Sequence, residues 1–390
     1  FFFFFSGSAV ANVIGTGTFT IPLMQKTGYE SETAAAVEAA ASTGGQFTPP
    51  VMGATAFLIA ERLAVPYFDL VKAAAIPAIL YYASLLLSVD IYAQKNGLQG
   101  IKKEDVPKIR PLLRRFYLLL PLVFLVYILA VTGKTVARAG LYTILLTLVI
   151  VMLDKKCRLT LEKLVKICVN AAKSAVPVAV ACAMAGIISG VVMGTGVGYR
   201  LSSALIDVSG GQPLILLVLT MLVSLIMGMG IPTISAYLVL AILVAPALTQ
   251  MGFSGLASHL FIFYFGCISV ITPPVALASY AGAGIAGCSP TKAGTRAFRL
   301  AICAFILPYL FVYNESLLWQ GAWYNILWSA LSALVGVYCL ACGQEGFFYN
   351  WKLLVWERAL LIVGALALIV PGVVTDVIGF ALLIGVFVFH

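Results

Sequence analysis

Long apolar runs with almost no charged residues are the feature that most limits how this chain can fold. Several of the runs reach the roughly 20 residues that a helix needs to cross a bilayer. No segment alternates polar and apolar residues over about 10 positions, as the strands of an outer-membrane barrel do. With 62% hydrophobic and 10% charged residues, the chain also lacks the polar side chains to cover a water-soluble surface. The sequence therefore predicts an all-α polytopic membrane protein.

Basic residues give the predicted topology its orientation. The net charge of +9 comes largely from three clusters in short loops between apolar runs, which is the pattern of cytoplasmic loops. No segment resembles a helix that reads a nucleic-acid groove, so we expect no nucleic-acid partner. The three clusters are Lys95, Lys102, Lys103, Lys108, Arg110, Arg114 and Arg115; Lys155, Lys156, Arg158, Lys163 and Lys166; and Lys292, Arg296 and Arg299.

The apolar runs divide the chain into four predicted parts. Residues 1–66 form a first core, and 67–173 form scaffold helices with basic loops. Residues 174–297 form a second core, whose re-entrant hairpin has its tip at 228–233, and 298–390 form C-terminal helices. Residues 1 to 24 are apolar but are expected to be broken by Gly7, Gly15, Gly17 and Pro22. The helical runs are predicted at 33–61, 67–92, 116–132, 138–153, 174–197, 212–248, 258–286, 298–313, 323–342, 353–370 and 373–389.

An internal repeat relates the two predicted cores. Without gaps, an offset of 224 positions places Thr48-Pro49-Pro50-Val51 on Thr272-Pro273-Pro274-Val275. The same offset aligns Pro22 with Pro246 and Gly28 with Gly252, and it places Ser6-Gly7-Ser8-Ala9 on Gly230-Ile231-Pro232-Thr233. Each half is therefore predicted to contain a hairpin with a polar, glycine-containing tip, followed by a helix that is broken at Thr-Pro-Pro.

The number of crossings between the two halves predicts their relative orientation. The first hairpin ends at Lys26 on the cytoplasmic side, and five predicted crossings separate it from the second hairpin. Because five is odd, the second hairpin enters from the opposite face, and the repeat is inverted. Inverted repeats with discontinuous helices at the bilayer midplane are common among secondary transporters.

The two Thr-Pro-Pro breaks predict sites that are lined by oxygen atoms. Proline lacks an N–H group, so two successive prolines leave backbone carbonyls without helical partners. An alkali cation shared with the hairpin tip can satisfy such carbonyls in a dry bilayer, and Thr48 and Thr272 add hydroxyl oxygens. The helix N-termini after the tips offer free N–H groups and a positive dipole end, which suit a carboxylate.

Few ionisable side chains lie within the predicted cores. Glu38 is the only acidic residue well inside a broken helix, and its distance from Thr48 predicts an interfacial position. The absence of a buried Asp or Glu cluster argues against a proton relay. The only histidines are His259 and His390, and the eight cysteines are scattered, so we expect no catalytic triad, zinc site or disulfide. We therefore expect neither an enzyme nor an organic cofactor.

At these residues the sequence closely resembles the large membrane subunit of tripartite ATP-independent periplasmic (TRAP) transporters. Within that family it looks most like the TAXI type, whose permease is a fused polypeptide. The resemblance covers essentially the whole chain. It rests on Ser6-Gly7-Ser8-Ala9, on Pro22 to Tyr29, on STGGQFTPPVMGATAFLIAE from Ser42, on GMGIPT at Gly228, on HLFIFYFGCISVITPPVALASYAGAGIAG from His259, on FVYNESLL at Phe311 and on PGVVTDVIGFALL from Pro371.

The resemblance implies an elevator-type transporter, in which two hairpins and two discontinuous helices move against a fixed scaffold. Sodium, the only metal expected, would bind twice, each time between a tip and a break. Ion-binding site 1 would contain Ser6, Gly7, Ser8, Gly45, Thr48 and Pro49, and site 2 would contain Gly228, Gly230, Thr233, Ser269, Thr272 and Pro273. The substrate would bind Ser8, Asn12, Thr48, Thr233 and Thr272, with Asn12 as the weakest candidate.

The resemblance also implies partners and a location. A periplasmic TAXI-type solute-binding protein would deliver a small organic anion, a carboxylate, to the chain in a bacterial or archaeal cytoplasmic membrane, without ATP. Phe1 to Phe5 lead straight into the first tip, so we expect an N-terminal truncation that removes a fused small subunit. Sodium and proton coupling both stay open. Two alternatives are a carboxylate symporter that needs no binding protein and a membrane scaffold that transports nothing.

Overall fold

The computed structural model describes residues 7–100, 116–132, 135–153, 159–348, 351–369 and 372–389. The described residues form eighteen α-helices, three short 3₁₀ helices (Phe116–Leu119, Ser269–Ile271 and Glu315–Leu318) and one two-stranded antiparallel sheet, Phe347–Phe348 with Trp351–Lys352. The all-helical prediction is confirmed. The helices are α1 (Ala9–Lys26), α2 (Ser31–Gly44), α3 (Ala54–Arg62), α4 (Tyr67–Lys95), α5 (Leu120–Val131), α6 (Val136–Leu153), α7 (Leu161–Thr195), α8 (Val197–Val208), α9 (Pro213–Gly228), α10 (Thr233–Leu243), α11 (Ala245–Gln250), α12 (Gly255–Ile268), α13 (Leu277–Ala286), α14 (Pro290–Leu300), α15 (Ile302–Tyr313), α16 (Trp323–Glu345), α17 (Val355–Ile369) and α18 (Val373–Phe389).

The internal repeat is visible in the helix boundaries. Adding 224 to the ends of α2 gives the ends of α12, and adding it to α1 gives the combined ends of α10 and α11. Gly28 and Gly252, which follow α1 and α11, have φ angles of 100° and 93°. Side chains strongly disfavour this left-handed backbone, so both turns need the glycine that the alignment found. The helix boundaries and these two turns agree with the repeat predicted from the sequence.

The two repeats are interlocked rather than side by side. Helix α1 packs against α2 of its own half and against α13 of the other half, while α10 packs against α12 and α3. At the end of α1, the Gln25 Nε2 donates to the Ala286 carbonyl at 2.9 Å. Each tip helix therefore contacts the helix that follows the break in the opposite repeat. The opposite orientation of the repeats in the membrane stays a prediction.

Two sequence-based expectations about local structure are wrong. Gly15, Gly17 and Pro22 do not interrupt α1, because the packing of α1 between α2 and α13 outweighs weak helix propensity. The second and third basic clusters are partly helical rather than loops. Lys163 and Lys166 lie in α7, which Thr160 caps, and Lys292, Arg296 and Arg299 lie in α14, which begins at Pro290. The basic residues between 102 and 115 and between 155 and 158 lie outside the described residues.

Three helical runs are long and apolar enough to cross a bilayer in one piece, within the part of the chain that the structure describes. They are Tyr67–Lys95, Pro290–Tyr313 and Trp323–Glu345. Of the other, shorter apolar helices, Pro213–Gly228, Thr233–Leu243, Gly255–Ile271 and Leu277–Ala286 begin or end at the second tip or the second break. Large apolar side chains on α6 and α7 are exposed, including Leu153 at 78% and Leu161 at 78%. Such surfaces suit contact with lipid.

Candidate ion and substrate sites

The first helix tip lies directly against the first broken helix. A Cβ atom on Gly7 would lie 3.2 Å from the Ala54 nitrogen and 3.4 Å from the Gly53 Cα. Ser8 caps α1, and its Oγ accepts from the Ala11 N–H at 3.4 Å. Ser6, another residue predicted for site 1, lies outside the described residues. The glycine at the tip therefore allows the backbone of the tip to touch the backbone of the break.

The second tip approaches the second break in a similar way. A Cβ atom on Gly228, the last residue of α9, would collide with the Ser269 Oγ and lie 2.8 Å from the Ser269 Cβ. The Ser269 hydroxyl donates to the Gly266 carbonyl at 2.7 Å. Gly230 has a φ angle of 81°, which turns the chain sharply between α9 and α10. The structure thus places Gly228 and Ser269, both predicted for site 2, in direct contact.

Gln46, which we did not select from the sequence, joins three of these elements. Its Oε1 accepts from the Thr233 hydroxyl at 2.7 Å, which links the first break to the second tip. Its backbone carbonyl accepts from the Gly53 N–H at 2.6 Å, and Gly53 contacts Gly7 of the first tip. The predicted residues Gly7 and Thr233 are therefore brought to one place by a glutamine between them.

The side chain of Gln46 is also incompletely satisfied. It is 2% exposed, and its Nε2 has no hydrogen-bond partner among the described residues. If the amide were turned over, its oxygen would be the unpaired atom instead. A buried polar group without a partner costs about 1–3 kcal/mol, which makes such groups markers of a ligand or water position.

The threonines of the two breaks have equivalent geometry. Thr48 Oγ1 donates to the Gly44 carbonyl at 2.6 Å, and Thr272 Oγ1 donates to the Ile268 carbonyl at 2.9 Å. Both side chains are buried, at 8% and 7% exposure. Each hydroxyl donates its one proton to a carbonyl at the end of its own helix. The hydroxyl oxygen therefore keeps lone pairs that can bind a cation.

Some carbonyls within the two breaks accept hydrogen bonds from tyrosine hydroxyls. The Tyr67 hydroxyl donates to the Val51 carbonyl at 2.5 Å and lies 3.3 Å from the Pro50 carbonyl. The Tyr280 hydroxyl donates to the Pro274 carbonyl, at the equivalent position of the other break, at 2.5 Å. Tyrosines of α4 and α13 therefore supply donors to carbonyls at the prolines or just after them. Of the carbonyls one turn before the prolines, which we expected to be free, the Gln46 carbonyl accepts from the Gly53 N–H, so for that carbonyl the expectation is wrong.

The two breaks are neighbours in the core. The Phe47 ring stacks on the Tyr264 ring of α12 with centroids 4.3 Å apart, and it meets the Tyr81 ring edge-on at 5.1 Å. The 3₁₀ turn at Ser269–Ile271 contacts α2. No hydrogen bond between described residues joins Thr272 to the Gln46 cluster, so the predicted substrate residues are only partly brought together.

Two further polar residues, Glu38 and Asn12, are buried within the protein. Glu38 is 2% exposed and bonded to two threonine hydroxyls, because α1 covers this face of α2 with hydroxyl groups. Its interfacial depth in the membrane stays a prediction. Asn12 is 5% exposed in α1, and its carbonyl accepts from the Thr16 hydroxyl at 2.8 Å. Gly45, Pro49 and Pro273 lie in the two breaks, as predicted.

Two interlocked repeats, each with a tip that contacts a broken helix in an apolar helical fold, form an arrangement that is common in secondary membrane transporters. The family described as the tripartite ATP-independent periplasmic transporter, DctM component, matches residues 1–326, and the chain belongs to it. The chain is therefore a membrane component of a TRAP-type secondary solute transporter, which works with a periplasmic binding protein and a small membrane subunit. No curated protein matches the chain. The TRAP assignment is confirmed, and the TAXI type stays a prediction.

Proposed function

We propose that the chain carries a small organic anion with a carboxylate group across the cytoplasmic membrane, coupled to sodium. A TAXI-type periplasmic binding protein is proposed to deliver the anion. The buried, incompletely bonded Gln46 amide beside Thr233 is the observation that carries this proposal. It lies where the first break meets the second tip, and an amide N–H is a suitable donor to a carboxylate oxygen.

The positive end of α10 adds to this anion site. Thr233 is the first residue of α10, so the free N–H groups of that helix begin beside the Gln46 amide. Helix N-termini bind anions through these N–H groups and the helix dipole. The arrangement favours a carboxylate over a cation, and it selects a charge class rather than one compound.

Sodium is proposed to bind where each tip touches its break. In site 1 this is the contact of Gly7 with Gly53, near Thr48, and in site 2 it is the contact of Gly228 with Ser269, near Thr272. Neutral oxygens of hydroxyls and carbonyls are suitable ligands for an alkali cation. A cation shared by tip and break would hold each hairpin closed, which couples ion binding to closure around the anion.

An elevator movement is proposed for the transport step. Six interlocked helices would move together, because the tip helix of each repeat packs against helices of both repeats. These helices are α1, α2, α3, α10, α12 and α13. Helices α4 and α16, which pack against one another, would belong to the fixed scaffold. The carried anion would then cross the membrane inside the moving core.

Uptake into proteoliposomes tests the proposal. The complete permease is reconstituted with its binding protein, a mixture of small organic acids is added outside, and mass spectrometry measures the acids inside. We expect one or more carboxylates to accumulate when sodium is higher outside. Uptake that persists without sodium and proton gradients, or no uptake of any acid, would contradict the proposal.

Variants connect the uptake to the site. Gln46→Ala removes one hydrogen bond to a charged group, worth about 1.5–3 kcal/mol, so anion affinity is expected to fall about 10- to 150-fold. Gln94→Ala, which changes an exposed glutamine of α4, is the matched control. The double variant Thr48→Val and Thr272→Val is expected to lose the sodium dependence. Wild-type uptake in that double variant would contradict the sodium sites.

A further inference from the structure

A buried carboxylate lies outside the proposed sodium and anion sites. Glu38, near the middle of α2, is 2% exposed. Its Oε1 is 2.5 Å from the Thr16 hydroxyl and its Oε2 is 2.5 Å from the Thr20 hydroxyl, both on α1. The Ser42 hydroxyl lies 3.5 Å from Oε1. Three hydroxyl groups therefore surround a carboxyl group at the interface between the two arms of the first repeat.

The surroundings of this carboxyl group are closely packed. A Cβ atom on Gly17 would lie 3.3 Å from the Glu38 Cγ and 3.4 Å from the Ile285 Cδ1 of α13. The glycine therefore lets α1 approach α2 closely, and an isoleucine from the other repeat closes one side. An ionised carboxylate is costly in such a place unless it is paired, and buried acids within membrane helices are usually functional.

No basic group pairs with Glu38 among the described residues. Lys26 ends α1, and the basic residues of α14 line a polar cavity of about 610 Å³ with Glu30 and Thr33, at the start of α2. Arg296 of that helix pairs with Glu345 at 3.0 Å. The nearby positive charges therefore lie around the N-terminal end of α2 and not beside Glu38.

Several other ionisable groups on helices packed against α2 have their own partners, whereas the buried Tyr264 hydroxyl of α12 has none among the described residues. Tyr81 and Tyr82 of α4 donate to the carbonyls of Ala40 and Ala41, each at 2.8 Å. In α12, His259 bonds the Tyr237 hydroxyl, and in α13, Tyr280 bonds a break carbonyl. Glu38 is left with hydroxyl groups alone, which can serve a carboxylate or a carboxylic acid.

The hydroxyl protons can satisfy either form. Thr16 Oγ1 is also 2.8 Å from the Asn12 carbonyl, and Thr20 Oγ1 is 3.1 Å from the Thr16 carbonyl. Each hydroxyl has one proton, so it donates either to Glu38 or to its own helix. When Glu38 is ionised, both threonines donate to it. When Glu38 is protonated, its O–H donates to one threonine, whose own proton then returns to the helix carbonyl.

We propose that Glu38 is a proton-binding site of the transporter, in addition to the sodium sites. The carboxylate takes a proton from hydronium on one side of the membrane, which leaves water, and the acid returns the proton to water on the other side. Both carboxylate oxygens already touch a hydroxyl at hydrogen-bond distance, so the place suits a proton better than a metal ion. This proposal rests on the proposed transport function.

Protonation at this position would act on the first tip. Thr16 and Thr20 belong to α1, whose N-terminus carries Gly7 and Ser8, whereas Glu38 belongs to the helix that leads to the break at Thr48. One of the two threonine hydrogen bonds between α1 and α2 reverses direction when the proton binds. The proton therefore acts on the same two elements that the sodium at site 1 would join.

Infrared spectroscopy tests proton binding without any substrate. The complete permease in lipid vesicles is titrated with acid, and the carbonyl stretch of a protonated carboxyl group is followed. We expect a titrating band that is absent from Glu38→Gln and kept in Glu61→Gln, which changes an exposed glutamate of α3. Glu38→Asp keeps a carboxyl group at this position and is expected to keep a titrating band, should the glutamine variant be unstable.

Uptake then tests the coupling. With one proton carried per cycle, an inward gradient of one pH unit raises accumulation about tenfold, because 1.36 kcal/mol is a factor of ten. Glu38→Gln is expected to lose this gain and to keep the gain from a sodium gradient. An unchanged pH response in Glu38→Gln, no band that depends on Glu38, or a band that responds to sodium at fixed pH would overturn the proposal. Absent uptake in the wild type would contradict the transport function, while the infrared result would still decide the proton site.

Discussion

The contact between Gly228 and Ser269 gives a sharp prediction about the second tip. In Gly228→Ala the new methyl group would collide with the Ser269 Oγ and start 2.8 Å from the Ser269 Cβ, whereas ordinary contacts begin at 3.4 Å. The tip and the break must therefore separate by several tenths of an ångström. Overpacking of this kind costs about 1–3 kcal/mol, and the better helix propensity of alanine offsets at most about 1 kcal/mol.

A second substitution makes the prediction specific. Ser269→Gly removes both atoms that the new methyl group would meet, so the double variant is expected to recover most of the lost stability. Gly284→Ala is the matched control, because an added methyl group at that exposed position of α13 meets no atom within 4 Å. The interaction between the two substitutions is then the result of a double-mutant cycle.

Thermal unfolding of the purified protein in detergent, followed by tryptophan fluorescence, measures the effect. A loss of 1 kcal/mol lowers Tm by about 2–4 °C in chains of 150–250 residues, and by less in longer ones. We expect Gly228→Ala to lower Tm by a few degrees and the double variant to restore it. If Gly228→Ala is as stable as Gly284→Ala, or if Ser269→Gly restores nothing, the close approach of tip and break is wrong.

Substitutions at four other residues give further tests. Tyr280→Phe and Tyr67→Phe leave a break carbonyl without its donor and should each reduce the free energy of unfolding by about 1 kcal/mol; unchanged Tm values would show that water replaces the hydroxyl. Arg296→Met leaves the Glu345 carboxylate, which is 3% exposed, without its partner. The free energy of unfolding should fall by about 1–3 kcal/mol, which is less than for a fully buried pair because Arg296 is 20% exposed. Recovery of stability when Glu345→Gln is added to Arg296→Met checks the pair. Gln46→Glu places a negative charge in the proposed anion site, so uptake should fall further than in Gln46→Ala, and equal uptake would place the anion elsewhere.

The sequence predicts the repeated elements well because their signals are local. Prolines, glycines and the threonine before each Pro-Pro pair fix where helices end, and these residues recur at the same spacing in both halves. The residues that determine the tip and the break are therefore present within each half. The correspondence of α2 with α12 follows from residues that are close together in the chain.

The position of Glu38 and the role of Gln46 could not be read from local pattern. Glu38 is buried because two threonines 18 and 22 positions away face it from another helix. Gln46 meets Thr233 across 187 positions, and its counterpart in the second repeat is Val270, so the repeat gives no hint of it. Polar contacts between halves depend on tertiary packing, which neither periodicity nor alignment of the halves reveals.

The exchange of helices between the repeats has a consequence for biosynthesis. The bond from Gln25 to Ala286 spans 261 positions, so at 5–20 residues per second the ribosome needs roughly 13–52 s to supply the second partner after the first. During that time α1 and α2 have been synthesised but α13 has not, so the surface of α1 and α2 near Glu38 is not yet packed against α13. The first repeat therefore completes its packing only late in translation, and a stop codon after the first repeat would leave a product without a finished core.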